Sequence, residues 1–166
     1  MSNRLDPTAP VITGGVGGSG TRLVANLLTA MGFYLGRHFN VSADNLCYSV
    51  LFNRPRRLLG RAREDPRSLC HGLAVLTRHL TGDTAPLSAE QIAFVNEGLS
   101  DLGRPGFTPE QVETVLRACL EPAPIDMPDP RGWGWKEPNA HILLPLLMQY
   151  YPRGRYIHVI RHGLDM

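Results

Sequence analysis

The segment VITGGVGGSGTRLVANLLTAM, residues 11–31, has the order of a β-strand, a glycine-rich loop and an α-helix. Residues 11–13 are β-prone, and the apolar residues at positions 23, 24, 27, 28 and 31 have the spacing of an amphipathic helix. Gly32 stands where the C-cap of that helix is expected. The segment therefore predicts a strand that enters a helix through a loop at residues 14–20.

This loop has the composition of an anion-binding site. Five glycines occupy its seven positions, which costs conformational entropy unless a ligand approaches the backbone closely. Backbone N–H groups at the start of a helix lie at the positive end of the helix dipole, where phosphate binds. Hydroxyl groups and a guanidinium add side-chain donors there. The residues predicted to bind the anion are Gly17, Gly18, Ser19, Gly20, Thr21 and Arg22.

The last third of the chain predicts a second α/β segment. Residues 132–136 and 155–160 have the aromatic and β-branched residues of strands. An apolar helix that begins at Pro138 or Asn139 is expected between them. A strand, a helix and a strand joined by short turns predict a parallel, right-handed crossover. The predicted fold class is therefore α/β with a parallel sheet.

The middle of the chain, residues 46–121, predicts helices that proline and glycine interrupt. Two of these helices are expected to begin at capping boxes, at Ser88 and at Thr108. We expect about three or four helices and no strand, forming a helical insertion within one domain of residues 1–166. Six arginines at positions 54–67 favour a solvated amphipathic helix.

Composition argues against several classes of function. The net charge is only +2, so nucleic acid is not an expected partner. Three cysteines, far apart and odd in number, argue against a disulfide framework and a zinc knuckle, and no metal is expected. No apolar run is long enough to span a bilayer, and no secretory signal is apparent. The cytoplasm is the expected compartment.

Two nucleotide-binding motifs overlap the glycine loop. A Walker A motif needs lysine where Thr21 stands and Ser or Thr where Arg22 stands, so a kinase or ATPase is not favoured. The glycine spacing also fits a dinucleotide fingerprint and resembles short-chain dehydrogenases. Such folds need a second strand ending in an acidic residue about 20 residues further on, and here no acidic residue lies between the glycine loop and Asp44. Two functions of the glycine loop are kept as alternatives, namely an NAD(P)-binding protein and a non-catalytic nucleotide- or anion-binding module.

The two ends of the chain together resemble PAPS-dependent sulfotransferases. GGSGTR at 17–22 is similar to the loop that holds the 5′-phosphosulfate in that family. WKEPN at 135–139, the apolar helix after it and the strand that leads into Arg161 are similar to tyrosylprotein and bacterial sulfotransferases. The resemblance is confined to the two ends and does not extend to the helical middle. It implies a P-loop NTPase-like three-layer fold, with PAPS as cosubstrate and Arg161 on its 3′-phosphate.

The resemblance also implies transfer of a sulfuryl group from PAPS to a hydroxyl or amine acceptor, without a metal. Most family members have Lys or Arg before the Ser/Thr-Gly pair, where this chain has Gly18. The cation at the leaving group must then come from Arg22 or Lys136, and we favour Lys136, the only lysine in the chain. Asp44 and His38 are the predicted bases near the acceptor.

Family members continue well beyond the arginine that contacts the 3′-phosphate, whereas this chain ends at residue 166. The resemblance therefore implies a C-terminally truncated chain, whose own turnover stays an open question. The acceptor and the oligomeric state also stay open.

Overall fold

The computed structural model describes residues 5–53, 58, 60, 65–100, 102–103, 106–121 and 124–162. The chain divides into two units, which are Met1–Asn45 together with Ile125–Met166, and Leu46–Pro124. The first unit is mixed α/β, and the second is helical in its described residues.

The secondary-structure elements follow in chain order. They are β1 (Val11–Gly15), α1 (Thr21–Ala30), β2 (Phe33–Tyr34), α2 (Leu46–Phe52), α3 (Pro66–Thr81), α4 (Ala89–Leu99), α5 (Pro109–Leu120), β3 (Gly132–Lys136), a 3₁₀ helix (Pro138–Leu143), α6 (Leu144–Tyr150) and β4 (Arg155–Val159). The expected mixed α/β class is confirmed. The strand expected at residues 155–160 ends one residue earlier, at Val159.

The four strands form one parallel sheet in the order β2-β3-β1-β4. β1 lies between β3 and β4, with Val11 opposite Gly134 on one side and Gly15 opposite Val159 on the other. β1 also includes Gly14 and Gly15, which the sequence had suggested as loop residues. The predicted parallel arrangement of β3 and β4 is present, with β1 between them.

Helix α1 covers one face of this sheet. Its buried residues Ala25 and Leu28 form a core cluster with Leu35, and Val11 of β1 and Ile157 of β4 pack against that cluster. The i, i+3 spacing of Ala25 and Leu28 places both side chains on the same side of the helix. Of the apolar residues that predicted this helix, Leu28 is buried and Val24 is partly buried, whereas Leu23, Leu27 and Met31 are exposed. The helix is present as predicted, but the side that meets the sheet is not the predicted apolar stripe.

The other face of the sheet packs against the segment that joins β3 to β4. Trp133 and Trp135 are both buried, and since strand side chains alternate, they share the face opposite Lys136. Tyr151 meets both indole rings edge-on, with ring centroids 5.9 and 5.8 Å away. Leu147 of α6 is also fully buried. Helices thus cover both faces of the sheet.

The helix expected from residue 138 onward is a 3₁₀ helix followed by a short α-helix. The reason is Pro145, which lies in the first turn of α6. In a continuous α-helix its ring would clash with the carbonyl of His141, and it has no N–H to donate. Proline is tolerated in a first turn, so α6 begins at Leu144 and the preceding residues take the tighter 3₁₀ form.

Helices α2 to α5 belong to the second unit, and the described residues Leu58 and Gly60 between α2 and α3 are also helical. Both expected capping boxes are confirmed, because Ser88 and Thr108 each accept a hydrogen bond from the backbone N–H of the glutamine three residues later. Of the six clustered arginines, only Arg67 lies within the described residues, where it is exposed. None of the described helices has the length and apolar character needed to cross a bilayer.

Candidate anion-binding site

The predicted site residues converge at the edge of the sheet where the parallel strands end. The glycine loop follows β1, the segment around His38 follows β2, Lys136 ends β3, and Arg161 lies two residues beyond β4. The connection after β1 leads toward β2 and that after β3 leads to β4, so the two leave in opposite directions. In open α/β sheets, ligands bind in the crevice at such a point.

The glycine loop holds the first turn of α1 open to solvent. Gly20 is the N-cap, in a left-handed conformation with φ of 101°, and no side chain of the described residues caps the helix. The Ser19 N–H donates to the carbonyl of Val16 at 3.1 Å, which closes the turn. The N–H groups at the start of a helix have no acceptor within it, so this end of α1 can donate to a bound anion.

Two buried hydroxyls at this edge have no hydrogen-bond partner among the described residues. They are Ser19 Oγ in the loop and Thr13 Oγ1 on β1. Ser19 is 6% exposed and Thr13 is fully buried. Leaving such a group unsatisfied costs about 1–3 kcal/mol, so the arrangement favours a ligand that accepts or donates a hydrogen bond there. Sequence reasoning named Ser19 and missed Thr13, whose only signal was a hydroxyl in an otherwise apolar strand.

Different features explain why glycine stands at different positions of this segment. A Cβ on Gly14 would lie 2.3 Å from the Tyr156 hydroxyl, so the packing of β4 against β1 accounts for that glycine. A Cβ on Gly17 would meet nothing within 4 Å, and its backbone does not need a positive φ. Neither sterics nor conformation within the described chain requires glycine at position 17. Close approach of a ligand to the backbone remains as a physical reason for it.

Lys136 is buried at the end of β3, opposite Thr13 of β1 in the sheet register. Its ammonium forms an ion pair with Asp44 and donates to the carbonyl of Ser42 at 3.0 Å. The side chain of Lys136 is 3% exposed and that of Asp44 is 16% exposed. The structure therefore brings together Lys136 and Asp44, two of the predicted catalytic residues.

The loop that carries Asp44 is fastened to the end of β3. The Asn45 N–H donates to the carbonyl of Lys136 at 2.8 Å, and the Asn45 side-chain amide donates to the carbonyl of Leu35 at 2.9 Å. Asn40 Nδ2 also donates to the Asp44 carboxylate at 2.8 Å. The Asp44 carboxylate thus positions Lys136 and shapes its own loop.

His38 lies in the same loop and is partly buried. Burial lowers the pKa of its imidazole, and the neighbouring Arg37 charge lowers that pKa further. The ring is therefore neutral around pH 7, which is the protonation state that a general base requires.

The remaining predicted residues lie around the loop. Thr21 is buried as the first residue of α1, and Arg22, next to it, is exposed. Arg161 is also exposed. Because Val159 pairs with Gly15, Arg161 and the glycine loop leave the sheet from adjacent strands at the same edge. The glycine loop and Arg161, which belong to the two separate segments of the resemblance, therefore lie at one side of the sheet.

Comparisons of the chain with protein-family models, with curated proteins and with solved structures found no match.

Proposed function

We propose that this edge of the sheet binds the phosphosulfate end of PAPS, and that the chain belongs to a P-loop-like sulfotransferase that modifies a hydroxyl or amine acceptor in the cytoplasm. The observation that carries the proposal is the buried Ser19 hydroxyl, which has no hydrogen-bond partner among the described residues and lies in a glycine loop at the start of α1. A phosphate oxygen accepts both from such a hydroxyl and from the N–H groups of a helix N-terminus.

The position of the only lysine supports the same chemistry. When the sulfuryl group leaves, negative charge develops on the bridging oxygen of the phosphosulfate, and a nearby cation stabilises that charge. An ammonium has three N–H donors, and contacts with Asp44 and Ser42 engage two of those on Lys136 within the described chain. The third N–H is the one that we assign to the leaving group.

The exposed arginines complete the proposed site. Arg22 lies next to the N-terminus of α1, where it adds positive charge close to the 5′-phosphate. Arg161 follows β4, next to β1 in the sheet, and we assign it to the 3′-phosphate. His38, neutral near pH 7, is a candidate base for the acceptor alongside Asp44.

The strand order argues against the dehydrogenase alternative. A short strand does follow α1, as that alternative requires, but β3 separates β2 from β1. In both common doubly wound orders of nucleotide-binding sheets, the first two strands are neighbours. Residues 35–37 after β2 are Leu-Gly-Arg, which offers no carboxylate for a ribose.

A non-catalytic anion-binding module is the second candidate. This candidate is favoured because the Asp44 carboxylate already accepts hydrogen bonds from Lys136 and Asn40. A carboxylate held in this way is a poor base for an acceptor hydroxyl. The module and the enzyme would both bind the nucleotide, but only the enzyme would transfer a sulfuryl group.

Thermal unfolding with and without adenosine 3′,5′-bisphosphate (PAP) tests the proposal. Saturation at about 100 times Kd should stabilise the folded chain by about 2.7 kcal/mol, which raises the midpoint temperature by several degrees. NADH at the same concentration should produce no shift. An unchanged midpoint at millimolar PAP would contradict the proposal, and a shift with NADH alone would favour the dehydrogenase alternative.

Ser19→Ala should separate ligand binding from folding. Because Ser19 Oγ has no partner in the described chain, removing it should leave the free energy of unfolding unchanged or raise it by about 1 kcal/mol. The same change should weaken PAP binding by about tenfold or more, since a hydrogen bond to a charged group is lost. The matched control is Ser100→Ala, which removes a hydroxyl from α4's C-cap in the helical unit. If Ser19→Ala binds PAP as tightly as the unmodified chain, Ser19 is not a ligand residue.

Arg161→Ala should selectively remove recognition of the 3′-phosphate. The unmodified chain is expected to bind PAP at least about tenfold more tightly than AMP. AMP lacks the 3′-phosphate and therefore cannot make the charge-assisted contact with Arg161. In Arg161→Ala the two affinities should become nearly equal. Isothermal titration with both nucleotides measures this difference. If the variant keeps the preference for PAP, the 3′-phosphate binds elsewhere.

A further inference from the structure

Three helices of the second unit bring two thiols and one imidazole together. Cys47 of α2, His79 of α3 and Cys119 of α5 place one potential ligand atom each so that all three atoms lie within 4.8 Å of one another. Their exposed fractions are 1%, 2% and 0%. Cys70, the third cysteine, is only half-buried and does not belong to this group.

We propose that this cluster binds one thiophilic metal ion, Zn²⁺ or Cu⁺, through Cys47 Sγ, an imidazole nitrogen of His79 and Cys119 Sγ. Metal bonds of about 2.3 Å to sulfur and 2.0–2.1 Å to nitrogen place the ligand atoms of a tetrahedral zinc site about 3.6–3.8 Å apart. The three potential ligand atoms lie within 4.8 Å of one another, so small side-chain movements would bring them to the distances of a metal site. Soft thiolates with imidazole select these ions over Mg²⁺ or Ca²⁺.

Charge and coordination number point to different ions within this class. Two thiolates and a neutral imidazole carry a charge of −2, which Zn²⁺ cancels fully and Cu⁺ only in part, so burial favours Zn²⁺. No fourth cysteine, histidine or carboxylate of the described residues joins the group, and this favours an ion that accepts three ligands, Cu⁺. The experiment below separates the two ions.

The location of the cluster suggests a structural role. It is buried, so a bound ion would not meet a large substrate, and it would link three helices that are far apart in the sequence. Small domains frequently use a metal in this way because their cores are small. The spacing of the cysteines did not predict the site, because the ligands come from separate helices rather than from one local motif.

Metal titration of the full chain tests the proposal. The protein is purified under reducing conditions and stripped with a chelator. It is then titrated with Zn²⁺, with Cu⁺, and with Co²⁺ or Cd²⁺ as spectroscopic substitutes for Zn²⁺. We expect thiolate-to-metal absorption that saturates at about one equivalent, release of about two protons per ion from the thiols, and a higher unfolding temperature. Competition between Zn²⁺ and Cu⁺ identifies the preferred ion.

Cys119→Ser should lower the affinity for the ion by at least about tenfold, whereas Cys70→Ser, the matched control, should bind like the unmodified chain. The thiolate-to-metal absorption and the proton release are measured on the unmodified chain. They therefore test the proposal even if Cys119→Ser does not fold. The proposal is overturned if neither ion binds saturably, if Cys119→Ser binds as well as the control, or if chain purified separately without reductant contains a Cys47–Cys119 disulfide.

Discussion

Asp44→Ala should lower the free energy of unfolding of the α/β unit by about 3–5 kcal/mol. The Lys136 ammonium is 3% exposed, and in the described chain its partners are the Asp44 carboxylate and the Ser42 carbonyl. Removing Asp44 leaves a buried charge with a single neutral acceptor. A loss of this size is a large share of the stability of a typical domain.

The opposite substitution, Lys136→Met, should cost clearly less. Asp44 is 16% exposed, so its carboxylate can regain water when the ammonium is gone, and it keeps the hydrogen bond from Asn40. The double variant should be about as stable as Lys136→Met alone, because no buried charge then needs Asp44. The two single losses are therefore expected to be strongly non-additive.

Urea unfolding followed by tryptophan fluorescence measures this cycle. The chain has two tryptophans, Trp133 and Trp135, and both lie in β3 of the unit that contains the ion pair. The signal therefore reports on that unit. If Asp44→Ala and Lys136→Met lose the same small amount and the losses add, the two residues do not form a buried pair.

The same variants distinguish a structural lysine from one that meets the ligand. If the third N–H of Lys136 faces the phosphosulfate, Lys136→Met should weaken PAP binding by about tenfold, as expected for one lost charge-assisted hydrogen bond. An unchanged affinity in a folded Lys136→Met variant would leave Lys136 with a purely structural role at the end of β3.

Local features of the sequence were sufficient to predict several elements of both units. The strand, loop and helix of residues 11–31 follow from hydrophobic spacing and glycine content, both of which act over a few residues. The capping boxes at Ser88 and Thr108 were predictable for the same reason. The break at Pro145 was also readable in principle, because the clash of a proline ring with the preceding turn is local.

The contacts between residues far apart in the sequence could not be predicted from local features. Lys136 and Asp44 were each singled out, but their ion pair depends on a loop that folds back onto β3 and is fixed there by Asn45. The strand order, with β3 between β2 and β1, depends on where the chain returns after the helical unit. The approach of Cys47 to Cys119 depends on how separate helices pack. Each is a consequence of tertiary structure.

Gly134→Ala should destabilise the α/β unit by about 3 kcal/mol or more, at or above the upper end of the usual cost of overpacking. A Cβ at position 134 would lie 1.8 Å from the carbonyl oxygen of Val11, which is a backbone atom of the central strand. β1 cannot yield there, because it is hydrogen-bonded to β4 on its other side. The new methyl group must therefore push β3 away from β1.

Two other glycines provide a graded control for this prediction. At Gly132 the added Cβ would lie 2.6 Å from the ring of Phe33, a side chain at the edge of the sheet that can move, so Gly132→Ala should cost less. At Gly17 it would meet nothing of the described chain within 4 Å, so Gly17→Ala should change the free energy of unfolding by no more than about 0.5 kcal/mol. Tryptophan-detected urea unfolding ranks all three. Equal losses for Gly134→Ala and Gly132→Ala would mean that β1 and β3 are not as close together as described. The pairing of Lys136 with Thr13 across these strands would then also be wrong.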